Sequence, residues 1–259
     1  MIKLFRRIRS KLLDQGSIKR YIVYAIGEIV LVMIGILLAL QVNEWNQSRL
    51  DRIEETTILN NLKEDFQKAI KEFDYLNSLR NDIISSARLI TAINVSNMDQ
   101  YPTLYIDSLI CKTLFGPTFN NKAGSLEVLL TSGKINLIKH QNLRKSLIEW
   151  PGDVADMIED ELNHDKLYRE KYQDLLARYI SWNEMIKTYA TIQVRFNNIS
   201  LEAMPENPVI KSDYQSLLSN MYFLNTLHQR ASLCMISNQE TKVLIEKARG
   251  IIQLIDNEL

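Results

Sequence analysis

Only eight glycines and five prolines occur in 259 residues, and neither falls between Gly35 and Pro102. Hairpins and sheet edges draw on these residues, so their scarcity excludes a sheet-rich fold and favours long uninterrupted helices. Two cysteines, Cys111 and Cys234, are too few for a disulfide framework. In an oxidising compartment they could pair, and two buried free thiols fit equally well. Three histidines, His140, His164 and His228, leave little material for a metal centre. The chain has no HExxH, no CxxC, no phosphate-cradling glycine loop and no GxSxG. Formal net charge is zero, and nothing resembles the basic stripe of a nucleic-acid-binding surface, so no nucleic-acid partner and no cofactor are expected.

What charge there is lies unevenly. Residues 1–20 hold seven basic residues (Lys3, Arg6, Arg7, Arg9, Lys11, Lys19 and Arg20) against Asp14 alone. Residues 41–259 hold 24 basic against 29 acidic. Between these regions, Tyr21–Leu40 is apolar apart from Glu28. At 1.5 Å rise per residue, a helix of about 20 residues spans roughly 30 Å, one bilayer core. Tyr21 and Tyr24 stand at one boundary and Trp45 just past the other, where amphipathic rings anchor at the lipid interface. A cleaved signal peptide would need a shorter basic region and small residues before its cleavage point, where Leu37 and Leu40 stand. An uncleaved anchor in the lipid bilayer is therefore expected. The basic excess places residues 1–20 in the cytoplasm and residues 41–259 outside, in the periplasm of a bacterial inner membrane. The first 13 residues can also form a basic amphipathic helix on the inner leaflet, or serve only as a topology signal.

A charge near the centre of a span costs about 2.5–3.5 kcal/mol, against about 0.3–0.6 returned by each Leu, Ile or Val. Twelve such residues lie in Tyr21–Leu40, so insertion survives Glu28. At 100° per residue, Tyr24, Glu28, Gly35 and Ala39 fall within about 60° of one another, an acid sharing its face with small residues that admit a neighbouring helix. A second copy or a partner membrane protein is the expected occupant. The alternative is a tolerated acid reaching toward the headgroups.

The run "KRYIVYAIGEIVLVMIGILLALQVNEWN", Lys19–Asn46, closely resembles the opening of a bacterial family of single-span membrane proteins classed only as a domain of unknown function. "LEVLLTSGKINLIKHQNLRKSLIEW", Leu126–Trp150, is similar to a later segment of that family, where a helix ends at Ser-Gly and a Leu-Arg helix begins. The following "WPGD", Trp150–Asp153, departs from the pattern by setting proline and glycine where members tend to carry aromatic residues and continue the helix. The resemblance implies a membrane-anchored helical protein and no activity.

In the outer region, Ile58, Leu62, Ala69, Phe73, Leu76, Ile83, Ala87 and Ile90 recur at threes and fours, predicting a helix over about Gln47–Ile93 with one buried face. A break follows at Asn94–Pro102. Short helices are expected over Leu104–Leu114 and Ser125–Ser132, the first followed by a polar loop opened by Gly116 and Pro117, the second ended by Gly133. A long helix is expected from Pro151 to about Lys187, a loop at Asn197–Pro208, and a last long helix capped by Asp213. The fold class is therefore all-α: one transmembrane helix followed by an elongated antiparallel bundle with long first and last helices.

Few residues in this outer domain invite chemistry. Glu161 and His164 form one Glu-x-x-His step, which a di-iron bundle uses twice, but "IEDELNHDK" reads more simply as a solvated charged face. His228 and Asn238 lie near the apolar stripe of the last helix, where polar residues set register. Tyr168, Tyr172, Tyr179, Trp182 and Tyr189 could line a pocket, with a packed aromatic core the simpler reading. Three functions remain: a non-enzymatic anchored protein making protein contacts, a ligand sensor signalling through a partner's span, and an enzyme. The first accounts for most of the sequence.

Overall fold

The computed structural model describes residues 18–120, 124–191, 205 and 209–259. The chain divides into two compact units, Met1–Thr57 and Ile58–Leu259. All regular structure among the described residues is helical. Residues 1–17 of the basic segment 1–20, with the amphipathic helix expected over the first 13, and the expected loop at Asn197–Pro208, save Pro205, lie outside the described residues.

Helix α1 (Ile18–Thr91) runs 74 residues, as the absence of glycine and proline beyond Gly35 allows. In the first unit its side chains are exposed from Ile29 through Leu50. In the second unit it buries Leu59, Leu62, Phe66, Phe73, Leu76, Ile83, Ala87 and Ile90. Asn94 then turns the chain, its side chain accepting from the backbone N–H of Ser96 at 3.0 Å. A tight turn over Val95–Gln100 leads into α2 (Thr103–Thr113). The stretch after α2 is less polar than its sequence implies, because Phe115 and Phe119 are both buried. Helix α3 (Gly124–Thr131) is followed by Gly133 at φ 72°, a left-handed conformation that glycine adopts without Cβ strain.

Helix α4 (Gln141–Leu167) corrects the expected start after Pro151. His140 caps it, Nδ1 accepting from the Leu143 N–H at 3.1 Å, and the proline lies well inside. A proline there removes one helical hydrogen bond and costs about 3 kcal/mol. Packing overrides it: Leu147, Trp150, Val154 and Met157 are buried, while Pro151 and Gly152 face outward. Full burial of each large apolar side chain contributes about 1.5–3 kcal/mol, so these four outweigh the local penalty. The helix also stops short of Lys187. A wide turn of π type, Tyr168–Tyr172, leads to α5 (Gln173–Ala177), and α6 (Trp182–Thr191) follows a break.

Two successive caps replace the single expected one. Asp213 accepts from the Ser216 N–H at 3.0 Å and starts only α7 (Tyr214–Leu218). Asn220 accepts from the Phe223 N–H at 3.1 Å and starts α8 (Met221–Glu258). Within the second unit, side-chain contacts set α1 against α8, among them Lys63 with Asp256 at 2.6 Å, Asn77 with Thr241 at 2.6 Å, and Asn81 with Asn238 at 2.9 Å. Against α4, α8 sets Lys247 beside Asp153 and Ser237 3.0 Å from His164. Trp150 joins α4 to α1, its ring edge-on to Phe66 with centroids 4.9 Å apart.

Candidate functional site

On α1, Tyr24 and Glu28 are half-buried, while Gly35 and Ala39 are exposed. A Cβ added at Gly35 would meet nothing within 4 Å, so no close approach within the described chain demands glycine there. Trp45 is 70% exposed. Tyr21 lies in α1, but its side chain is outside the described set, as is that of Tyr189. The stretch holding these residues has an 18-residue window of mean hydropathy 2.6, none of it buried, and is long and apolar enough to cross a membrane.

The second concentration of chemistry lies inside the second unit. Arg80 of α1 and Glu161 of α4 form an ion pair, with 1% and 3% of their side chains exposed. The other Glu161 oxygen accepts from the Phe119 N–H at 2.7 Å. Arg80 also donates to Asn77 at 3.2 Å and Thr241 at 3.4 Å, and the Thr241 hydroxyl donates to Asn77 at 2.6 Å. Burial pushes the Glu161 carboxyl up, opposed by the Phe119 N–H and by Arg80. Burial likewise pulls the Arg80 guanidinium down, opposed chiefly by Glu161. Both readings of Glu161 drawn from sequence are thereby overturned: it faces Arg80 rather than sharing a metal step with His164, and it is not on a solvated face. His164, half-buried beside Ser237, is held below its ordinary value by burial, with Asp160 opposing.

The wide turn at Tyr168–Tyr172 feeds a second cluster. Both rings are buried there, and the Arg230 guanidinium stacks 4.2 Å from the Tyr168 centroid and 5.7 Å from that of Tyr172. Arg230 donates through Nε to the Thr113 carbonyl at 2.9 Å and through Nη2 to that of Phe115. A cation thus sits at the C-terminal end of α2, where the helix dipole favours one. Tyr172 and Thr113 share a hydrogen bond at 2.6 Å, and the Tyr168 hydroxyl donates to the Leu114 carbonyl at 2.8 Å. These tyrosines are core, whereas Trp182 remains 38% exposed. A third cluster joins α2, α6 and α7: Asp107, its carboxyl pushed up by burial, accepts from Tyr214 and from Thr188 at 3.4 Å.

Both cysteines are buried free thiols. Cys111 packs 3.7 Å from the Met185 sulfur, and burial pushes its thiol up to about 12, far from a reactive thiolate. His228 is exposed, correcting its expected place in the seam; Thr226, Arg230, Ser237 and Thr241 are the buried polar residues of α8. Asn238 does lie in the seam, on Asn81. Beside it a polar surface groove of about 290 Å³, lined by Asp74, Asn77, Asn81, Asn238, Lys242, Ile245, Glu246 and Arg249, sits at the small end of ligand-pocket sizes. Among the described residues no group of three or more His, Cys, Asp or Glu is placed to hold a metal ion. Arg80 and Glu161 pair with each other, Arg230 bonds backbone carbonyls and Asp107 accepts from hydroxyls, each link joining separate segments of the second unit and fixing their register.

The model of a family described as "Family of unknown function (DUF6090)" matches residues 28–226. The chain belongs to this family. No curated protein and no solved structure matches it.

Proposed function

We propose that this member of a family of unknown function is a non-enzymatic, membrane-anchored protein whose helical outer part makes protein contacts. The observation that carries the reading is the outward-facing apolar surface of α1. Ile22, Ile26, Ile29, Leu31, Ile34, Leu37 and Leu40 are all at least half exposed, a surface that water would penalise and lipid would not. Residues 21–40 cross the inner membrane once, with 1–20 cytoplasmic and 41–259 periplasmic, as the basic excess before the span favours. Tyr21, Tyr24 and Trp45 anchor the interfaces, and Tyr24, Glu28, Gly35 and Ala39 present the face on which a second copy or a partner's span packs. In the outer part α1 and α8 run antiparallel, a reading supported by their paired residues, whose numbers fall in α8 as they rise in α1.

The polar groove beside Asn238 favours a second reading, a periplasmic ligand sensor that signals through a partner membrane protein. The test is crosslinking in intact membranes followed by purification of the full chain. A defined protein, or a second copy, travelling with it in fixed proportion supports the contact reading. Recovery of the uncrosslinked monomer alone, with a small molecule that raises its melting temperature, would favour the sensor instead.

A further inference from the structure

Next to the Arg80–Glu161 ion pair, the seam between α4 and α8 holds a second pair of a different kind. Asp160 stands beside Glu161 on α4, Glu240 stands beside Thr241 on α8, and the two carboxyls are hydrogen-bonded to each other. Ionised carboxylates only accept, so such a bond requires a proton between them. Glu240 is half-buried, and among the described residues no donor reaches its buried Oε2, so nothing answers an ionised carboxylate at that oxygen. Ser237, just before Glu240 on α8, stands 3.0 Å from His164, just after Asp160 on α4. The carboxyl pair therefore sits within a packed contact of two helices.

The surrounding charges leave that proton in place. From α1, Arg80 acts on Glu240, but its guanidinium is already bonded to Glu161, Asn77 and Thr241. From α4, Glu161 adds like charge, and burial holds His164 below its ordinary 6.5. Burial first, and then Asp160, push the Glu240 carboxyl up to about 7. We infer that Asp160 and Glu240 form a pH-operated latch, sharing one proton that holds α4 to α8 in acid and parting as two like charges when the medium turns alkaline. The proton belongs to the pair, so removing either carboxyl removes the latch. Glu240 lies above its ordinary 4.5, so the stabilisation is complete below that value and is lost as pH rises through about 7. His164 titrates in the opposite sense, and the latch is therefore read as a difference between the parent and variants lacking one carboxyl. It goes beyond the protein-contact reading and does not depend on which side of a membrane the second unit faces.

The test is pH-difference infrared spectroscopy of the purified full chain, joined to amide hydrogen exchange corrected for its intrinsic pH dependence. The parent is compared with Glu240→Gln and Asp160→Asn. Asp160 is exposed, so its variant carries the test should Glu240→Gln fail to fold. The parent is expected to show a protonated-carboxyl band that vanishes near pH 7 and is missing from both variants. Amides of α4 and α8 flanking the pair should exchange several-fold faster at pH about 8 than at about 5, an acceleration that either substitution abolishes. A band that vanishes only in the ordinary carboxylate range, a band that survives both substitutions, or an acceleration the variants share would overturn the latch.

Discussion

The two stretches of α1 follow opposite rules within one uninterrupted helix. Over Ile22–Leu40 large apolar side chains point outward on every side, while over Leu59–Ile90 they gather on one face and are buried. Helix propensity does not distinguish the stretches; their surroundings do. A helix apolar all round is matched to hydrocarbon, and one with a single apolar stripe is matched to a protein core with water behind it. Polar residues divide in the same way. Glu28 shares a face with the exposed Gly35 and Ala39 in the apolar stretch, and Arg80 in the buried stripe is held by Glu161, Asn77 and Thr241.

Changes to the buried stripe should break this contrast most strongly. Replacing Arg80 with leucine leaves the Glu161 carboxyl in the core without its cation, and is expected to cost about 3–5 kcal/mol in chemical denaturation. The double variant Arg80→Leu with Glu161→Leu should recover much of that loss, since an apolar pair can replace a buried ion pair nearly neutrally. Equal loss in single and double variants would contradict the pairing. Trp150→Ala should cost a comparable 3–5 kcal/mol, roughly, because the cavity opens beneath Pro151, where the helix depends on packing. Unchanged stability would mean that α4 tolerates its proline for another reason.

Much of this contrast is readable from sequence because it is local. The threes and fours of Leu62, Phe73, Leu76 and Ile83 place α1, and a break and a short helix follow where turn residues stand. Long-range partnerships were not legible. Glu161 reads as a metal step or a solvated acid because its cation lies 81 positions away, and the Phe119 N–H that completes its shell comes from a loop. Pro151 reads as a helix start because the rule for proline is local, while the Trp150 packing that overrides it is not. Asp213 and Asn220 are both good caps, and the apolar pattern runs on past them, so sequence alone does not choose between them. The register of α8 against α1 is likewise set by pairs more than 150 positions apart.

Smaller effects sharpen the comparison. Glu28→Leu is expected to lower self-association in membranes while leaving the melting temperature of the outer part unchanged; association unaltered would remove Glu28 from any contact between copies. His164 gives the smallest effect. Its folded value lies below the ordinary 6.5, so its contribution is complete above that value and declines as pH falls below it. The His164→Asn variant should therefore lose less melting temperature than the parent between pH 7 and about 5. Parallel losses would mean that His164 is not held neutral by its burial.

The proposed function requires that the apolar stretch of α1 lie in lipid with the remainder of the chain beyond it. Paired fusions at Leu259 measure this directly: alkaline phosphatase, active only outside the cytosol, and a green fluorescent protein that lights only inside it. The account predicts active phosphatase, dark fluorescent protein and a full-length chain retained in the membrane. Fluorescence with inactive phosphatase, or a shortened chain released from the membrane, would contradict it.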